Sequence, residues 1–155
     1  MIGFIGTYEC KIDDKGRLKI PSSLKEQWKE VSSESFVIKR SVFQHCLEVY
    51  PMDSWNEIMM KINSLNRFVK KNADFIRMFT AGVKIVEVDK SDRLQISKDL
   101  VQYADLKREI VITSAGDLLE IWDKEAYEEV IKTNEADFSL LAEEVMGTLN
   151  SENVS

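Results

Sequence analysis

At 155 residues, with 44% hydrophobic and 31% charged side chains, the chain can bury one ordinary core or two small halves and carries enough charge to stay soluble. No run reaches the apolar length of a membrane span, and no charged start, apolar run and small-residue site mark a secretory leader, so a cytoplasmic location is expected. The net charge of −6 argues at first sight against nucleic acid, because phosphate neutralisation supplies most non-specific affinity, but the average hides an asymmetry. Residues 1–84 carry 14 Lys+Arg against 10 Asp+Glu, and residues 85–155 carry 7 against 17. A basic first half suits a protein that presents one face to an anion, while the acidic end from residue 123 reads as solvated helix.

Tyr8, Cys10 and Ile12 alternate on one face of a first strand, and Leu18 and Ile20 on one face of a second. With Asp13 and Arg17 as the last paired residues, Asp14-Lys15-Gly16 forms a three-residue hairpin loop whose left-handed third position falls on Gly16. Asp13 then faces Arg17, and a carboxylate can hold a guanidinium there in a fixed pose. Pro21 ends the strand, and Ser23 to Glu26 fits a capping box for a short helix with Leu24, Trp28 and Val31 inward. After a Ser32–Ser35 loop, Phe36–Arg40 and Cys46–Tyr50 read as strands, joined by a loop holding the single histidine, His45, to which no role is assigned. A helix from Pro51 to Leu65 with Asp53 as cap follows, and then a basic connector containing Arg67, Lys70, Lys71 and Arg77. The two cysteines, Cys10 and Cys46, have neither metal nor redox spacing and read as buried free thiols.

The plan then repeats. Asp89-Lys90-Ser91-Asp92-Arg93 restates Asp13–Arg17 76 positions later, Val111-Ile112 answers Val37-Ile38, and Leu119-Glu120-Ile121-Trp122 answers Leu47-Glu48-Val49-Tyr50. Ser97 and Asp123 are the expected caps of two further helices, and Asp137 to Leu149 carries one apolar stripe, with Asn150 to Ser155 expected to fray. The divisions expected are a first repeat over 1–66, a basic helical connector over 67–84, a second repeat over 85–131, and an acidic helix and tail over 132–155.

Two D-x-x-x-R tracts half a chain apart, the start Met1-Ile2-Gly3-Phe4-Ile5-Gly6, the run Lys15-Gly16-Arg17-Leu18-Lys19-Ile20-Pro21, and Leu47-Glu48-Val49-Tyr50-Pro51 with its echo at Leu119–Trp122 resemble the MraZ family. The resemblance extends to about Val130. It departs from the family pattern in the second tract, where Asp92-Arg93 and Ile96-Ser97 stand in place of Gly-Arg and Ile-Pro; Asp tolerates the left-handed conformation, so the turn can persist. The resemblance implies an α+β fold: a duplicated swapped-hairpin β-barrel (double-psi-like, of AbrB/SpoVT type) with peripheral helices and a pseudo-twofold within one chain. It further implies a bacterial regulator of the division and cell-wall gene cluster, repressing its own promoter, nucleoid-associated, and assembled as a homo-oligomeric ring on double-stranded DNA.

A two-stranded ribbon fits the major groove, and Arg is the usual bidentate partner of guanine. Arg17, Lys15, Arg93, Lys19, Lys11 and Lys90 are therefore the expected DNA contacts, with Asp13, Gly16 and Asp89 shaping and orienting the turns. Asp92 beside Arg93, Glu87 at its flank, and Gln95 in the place of Lys19 rank Arg17 above Arg93 as the expected reader. Gly-rich phosphate loops, nucleophile elbows, H-E-x-x-H and Cys/His clusters are all missing from the sequence, so no enzymatic activity, metal or cofactor is expected. The rivals weighed are a toxin-neutralising DNA-binding protein of the same barrel superfamily and a protein-interaction scaffold that does not bind DNA.

Overall fold

The alternation around the first tract yields β1 (Thr7–Lys11) and, past the turn, β2 (Arg17–Lys19), with Ile12 and Leu18 buried and Lys11 and Lys19 exposed. A computed structural model describes residues 3–31 and 35–154; Met1-Ile2 of the opening tract and Ser32-Ser33-Glu34 of the expected loop lie outside the described residues. The chain forms two compact units, Met1–Lys124 and Glu125–Ser155.

In the first unit the remaining elements are α1 (Ser22–Val31), β3 (Phe36–Arg40), β4 (Leu47–Pro51), α2 (Met52–Asn63), α3 (Lys70–Thr80), β5 (Lys84–Val86), β6 (Arg93–Gln95), α4 (Lys98–Tyr103), β7 (Glu109–Ala115) and β8 (Leu118–Asp123). Six strands form one antiparallel sheet in the order β1-β7-β8-β4-β3-β5, and β2 pairs with β6 in a separate antiparallel ribbon. The fold is α+β and duplicated, as expected. The ladders, however, leave an open sheet and a ribbon rather than one continuous closed barrel, tied together by the single bridges Ile12–Leu18 and Val88–Leu94.

The two strands of each predicted hairpin meet only at the tip. Asp13 N–H donates to the Arg17 carbonyl at 2.9 Å and Ile12 bridges Leu18; beyond that point β1 leaves to pair with β7, and β2 crosses to β6. Copy two does the same, with Asp89 N–H on the Arg93 carbonyl at 2.9 Å and β5 running along β3. A short hairpin cannot cover its own apolar face. Exchange lets Leu18, Ile20, Leu94 and Ile96 enter a single core with Phe36, Ile38, Leu47, Val49, Ile110, Ile112, Leu119 and Ile121. Phe4, Trp28 and Phe36 close one end, with Trp28 and Phe36 ring centroids 3.9 Å apart.

The register reveals the pseudo-twofold. Leu18 pairs with its own counterpart Leu94, and Glu48 with its counterpart Glu120, so the axis passes through both pairs. On the outer face of the sheet Tyr50 Oη donates to Glu48 Oε1 at 2.9 Å, and the equivalent Trp122 Nε1 donates to Glu120 Oε1 at 3.0 Å. Lys39 is fully buried there, its ammonium 3.6 Å from Glu48 Oε1, 4.3 Å from the Phe79 ring centre, and donating to the Arg40 carbonyl. Burial lowers its pKa, against which Glu48 pulls the other way.

Helix starts differ in detail from the sequence reading. Helix α1 begins at Ser22, with Lys25 N–H on the Pro21 carbonyl, and α2 begins at Met52 with Pro51 at its cap, placing Asp53 inside the first turn. Ser97 does cap α4, without a side-chain bond. Asp123 is buried, and its carboxylate accepts the Lys107 backbone N–H and ammonium. Helix α3 starts at Lys70, within the basic connector. Cys46 is buried and Cys10 half-buried; burial pushes their thiols up to about 12 and about 11, which leaves both protonated at neutral pH.

The second unit holds α5 (Lys124–Asn134) apart from its first residue, and α6 (Phe138–Val154). Helix α6 extends to Val154, and Ser155 of the expected frayed end lies outside the described residues. Phe138, Leu141, Val145 and Leu149 of its expected stripe are 47% to 64% exposed, and Leu140 and Met146 add apolar surface outside that stripe.

Gly16 has φ +80, and a Cβ there would stand 2.3 Å from the Ile96 carbonyl oxygen. Gly16→Val combines backbone strain with a collision against the partner strand, and is expected to destabilise the fold by at least about 1–3 kcal/mol. Thermal or urea unfolding checks this; a melt identical to wild type would mean the loop accommodates a branched side chain.

Candidate nucleic-acid interface

Each tip is organised by one aspartate. Asp13 Oδ1 accepts the N–H groups of Lys15 and Arg17, both at 2.9 Å, and Oδ2 holds Arg17 Nε at 2.9 Å. Asp89 Oδ1 accepts Ser91 N–H at 2.8 Å and Arg93 N–H at 2.9 Å, with Arg93 Nε at 3.4 Å from Oδ2. The D-x-x-x-R spacing is what this geometry needs: one carboxylate tightens the turn through the backbone and also aims the guanidinium four residues on. In both copies the arginine's backbone N–H above all, with its guanidinium adding to it, holds the aspartate below the ordinary carboxylate range. The clamp is therefore complete at neutral pH and is lost only as pH falls through those lowered values.

The turn itself tolerates the substitution in copy two. Asp92 occupies the position of Gly16 with φ +61. Its carboxylate bonds Lys25 Nζ of α1 at 2.8 Å, so it is engaged away from Arg93 rather than competing for that guanidinium. Glu87 likewise accepts the Ser35 hydroxyl at 3.0 Å.

The ribbon register rearranges the neighbours. Arg17 stands opposite Gln95, and Lys19 opposite Arg93, with Leu18 and Leu94 on the buried face between them. Gln95 Nε2 donates to the Lys15 carbonyl at 2.6 Å and so braces the first tip. The reasons for ranking Arg17 above Arg93 are thereby removed: Asp92 is paired elsewhere, and the lysine counted with the first tip lies across from the second arginine. Arg17, Lys19 and Arg93 share one solvent face of a rigid two-stranded ribbon.

Beside this face lies a cleft of about 580 Å³ lined by Lys11, Ile12, Asp13, Asp14, Arg17, Lys19, Arg93, Lys107 and Arg108. It brings together four of the six expected DNA contacts: Lys11, Arg17, Lys19 and Arg93. Lys15 is exposed at the first apex, whereas Lys90 lines a different cleft, of about 770 Å³, around the second tip. Lys107 and Arg108 were not expected. They sit in the connection between α4 and β7, a loop with no motif, and only the pairing of β1 with β7 carries it to the first tip. His45 packs 5.2 Å from Tyr103 in the loop after β3, apart from these residues.

Among the described residues no group of three or more His, Cys, Asp or Glu side chains is arranged to hold a metal, and no helix is long and apolar enough to cross a membrane.

A family profile described as "MraZ protein, putative antitoxin-like" matches the chain twice, over residues 4–78 and 78–148, in accord with the internal duplication. The Transcriptional regulator MraZ of Christiangramia forsetii is 57% identical over 155 residues, covering the whole of both chains. That of Flavobacterium psychrophilum is 57% identical over 148 residues, 96% of this chain and 94% of the relative. A more distant relative of the same name, from Cytophaga hutchinsonii, is 30% identical over 149 residues, 96% and 98% of the two chains. Full-length similarity and the twofold profile match place this chain in the MraZ family.

Proposed function

We propose that the chain is a sequence-specific DNA-binding transcriptional regulator, without enzymatic activity, that reads short repeated promoter boxes with its two D-x-x-x-R tips. The observation that carries the reading is the ribbon face: Arg17 and Arg93, each aimed by an aspartate, flank Lys19 over a buried Leu18–Leu94 pair. A ribbon of this width enters the major groove, where a fixed guanidinium can bond both guanine acceptors. Lys11, Lys15, Lys19 and Lys90 neutralise phosphates and set the register, while Asp13, Gly16 and Asp89 hold the turns. The repeats and connector divide at 66/67, 84/85 and 131/132. Repression of its own division and cell-wall cluster, in the cytoplasm at the nucleoid, is the role that fits the relatives' names and the family expectation.

One chain offers only two reading arginines. A ring of identical chains multiplies them, and repeated boxes on one duplex convert modest contacts into tight binding through effective concentration. The apolar residues exposed on α6, together with Met60, Phe68 and Met78 of the α2–α3 region, supply surface for such contacts.

Arg17→Ala and Arg93→Ala are each expected to weaken binding to the duplex upstream of the chain's own gene by about 1–3 kcal/mol per engaged subunit, and to relax base preference. Lys15→Ala should weaken operator and scrambled duplex evenly and lower the salt slope by about 0.9. Titration of the three variants against both duplexes at two salt concentrations decides this; unchanged binding by both arginine variants, with folding intact, would remove the ribbon from the interface. Sedimentation at micromolar concentration is expected to show an oligomer, and a lone 17.9 kDa species would overturn the ring.

A further inference from the structure

The two clefts beside the tips are related by the pseudo-twofold but differ in charge, the first basic and the second balanced. Lys11, Ile12, Asp13 and Asp14 line the first, and their counterparts Glu87, Val88, Asp89 and Lys90 line the second. The first cleft gathers six cationic side chains against two carboxylates; the second has three against three. Arg108 is one of the six cations of the first cleft, beside Lys11, whose counterpart in the second cleft is Glu87.

The placement of Arg108 is fixed by its backbone. Asp105, with φ +48, ends α4 in a left-handed turn. Lys107 is then tied down by Asp123, which accepts its N–H at 3.2 Å and its ammonium at 3.3 Å. The Arg108 carbonyl accepts Ile12 N–H at 2.9 Å, one residue before the clamp aspartate of the first tip. The guanidinium is exposed and has no ion pair or hydrogen bond among the described residues. A cation on an immobilised backbone, without an ion pair among the described residues and beside an arginine-bearing ribbon, has the properties of a backbone-phosphate anchor.

We infer that Arg108, in the loop between α4 and β7, binds a DNA phosphate next to the box read by the ribbon, and that this anchor serves the first tip alone. The inference rests on the DNA reading of the ribbon. Phosphate anchoring on one side only gives the symmetric fold a preferred direction along the duplex.

Arg108→Ala, Arg108→Lys, Lys84→Ala and Arg17→Ala are titrated with the full chain against the upstream duplex and a composition-matched scrambled duplex across a salt series. Lys84 lies on β5, the opposite edge strand of the sheet, and controls for loss of bulk charge. Expected for Arg108→Ala is a salt slope smaller by about 0.9, with operator and scrambled duplex weakened by the same factor and their ratio unchanged. Arg108→Lys should restore most of the slope, and Lys84→Ala should match wild type. The inference is overturned if Arg108→Ala binds like wild type while Arg17→Ala is weakened, if Lys84→Ala lowers the slope equally, or if Arg108→Ala alters the operator-to-scrambled ratio, which marks a base contact. Wild-type protein that binds neither duplex removes the DNA reading itself, and this inference with it.

Discussion

Two backbone hydrogen bonds extend the ribbon past the ends of β2 and β6: Ile20 N–H to the Asp92 carbonyl at 2.8 Å and Ile96 N–H to the Gly16 carbonyl at 2.7 Å. Each joins the strand leaving one turn to the left-handed residue inside the other. The turn of each copy is therefore completed by the other copy, and neither tip has its shape without its counterpart. The core depends on the same crossing, since Ile20 and Ile96 are carried into it by those bonds, beside the Leu18–Leu94 pair. It also holds Arg17 and Arg93 at a constant spacing, because they project from strands locked in register rather than from free hairpins.

Around that centre the two copies have diverged in charge while keeping the turn's backbone bonds; the guanidinium contact loosens in copy two, where Arg93 Nε has no hydrogen bond among the described residues. Both aspartates make the same pair of N–H bonds to their turns, and both arginines sit four residues on. What differs is the surroundings: a lysine-rich flank on one side, and on the other carboxylates already engaged by Lys25 and Ser35. Those engaged carboxylates lower the repulsion that a phosphate would otherwise meet at the second tip.

The turns, the strand identities and the duplication were legible because each is encoded within a few residues: Asp13 to Arg17, the alternation at Phe36–Arg40, the echo at Leu119–Trp122. Pairing across copies was not legible, since Lys19 and Gln95 are separated by 76 positions and their true neighbours are set by a register no local pattern contains. The neighbours from which the two arginines were ranked are rearranged for that reason. Arg108 was invisible for a related one, as its loop reaches the tip only because β1 lies along β7. Ser23 and Asp53 look like caps in isolation, yet α1 begins at Ser22 after Pro21 and α2 at Met52 after Pro51.

The pair Glu48–Glu120 on the pseudo-axis shows what fusing two copies into one chain makes available. In a dimer of identical half-chains, a residue on the axis faces itself, and any change is made twice at the same point. Two carboxylates meeting there would need two identical cations, placed symmetrically, to relieve them. Within a single chain the halves vary separately: Lys39 sits buried against Glu48, while the corresponding position holds Thr113, whose hydroxyl bonds Thr7 instead. The ammonium therefore answers Glu48 with no copy of itself at the position facing Glu120, an arrangement closed to any assembly bound by exact symmetry.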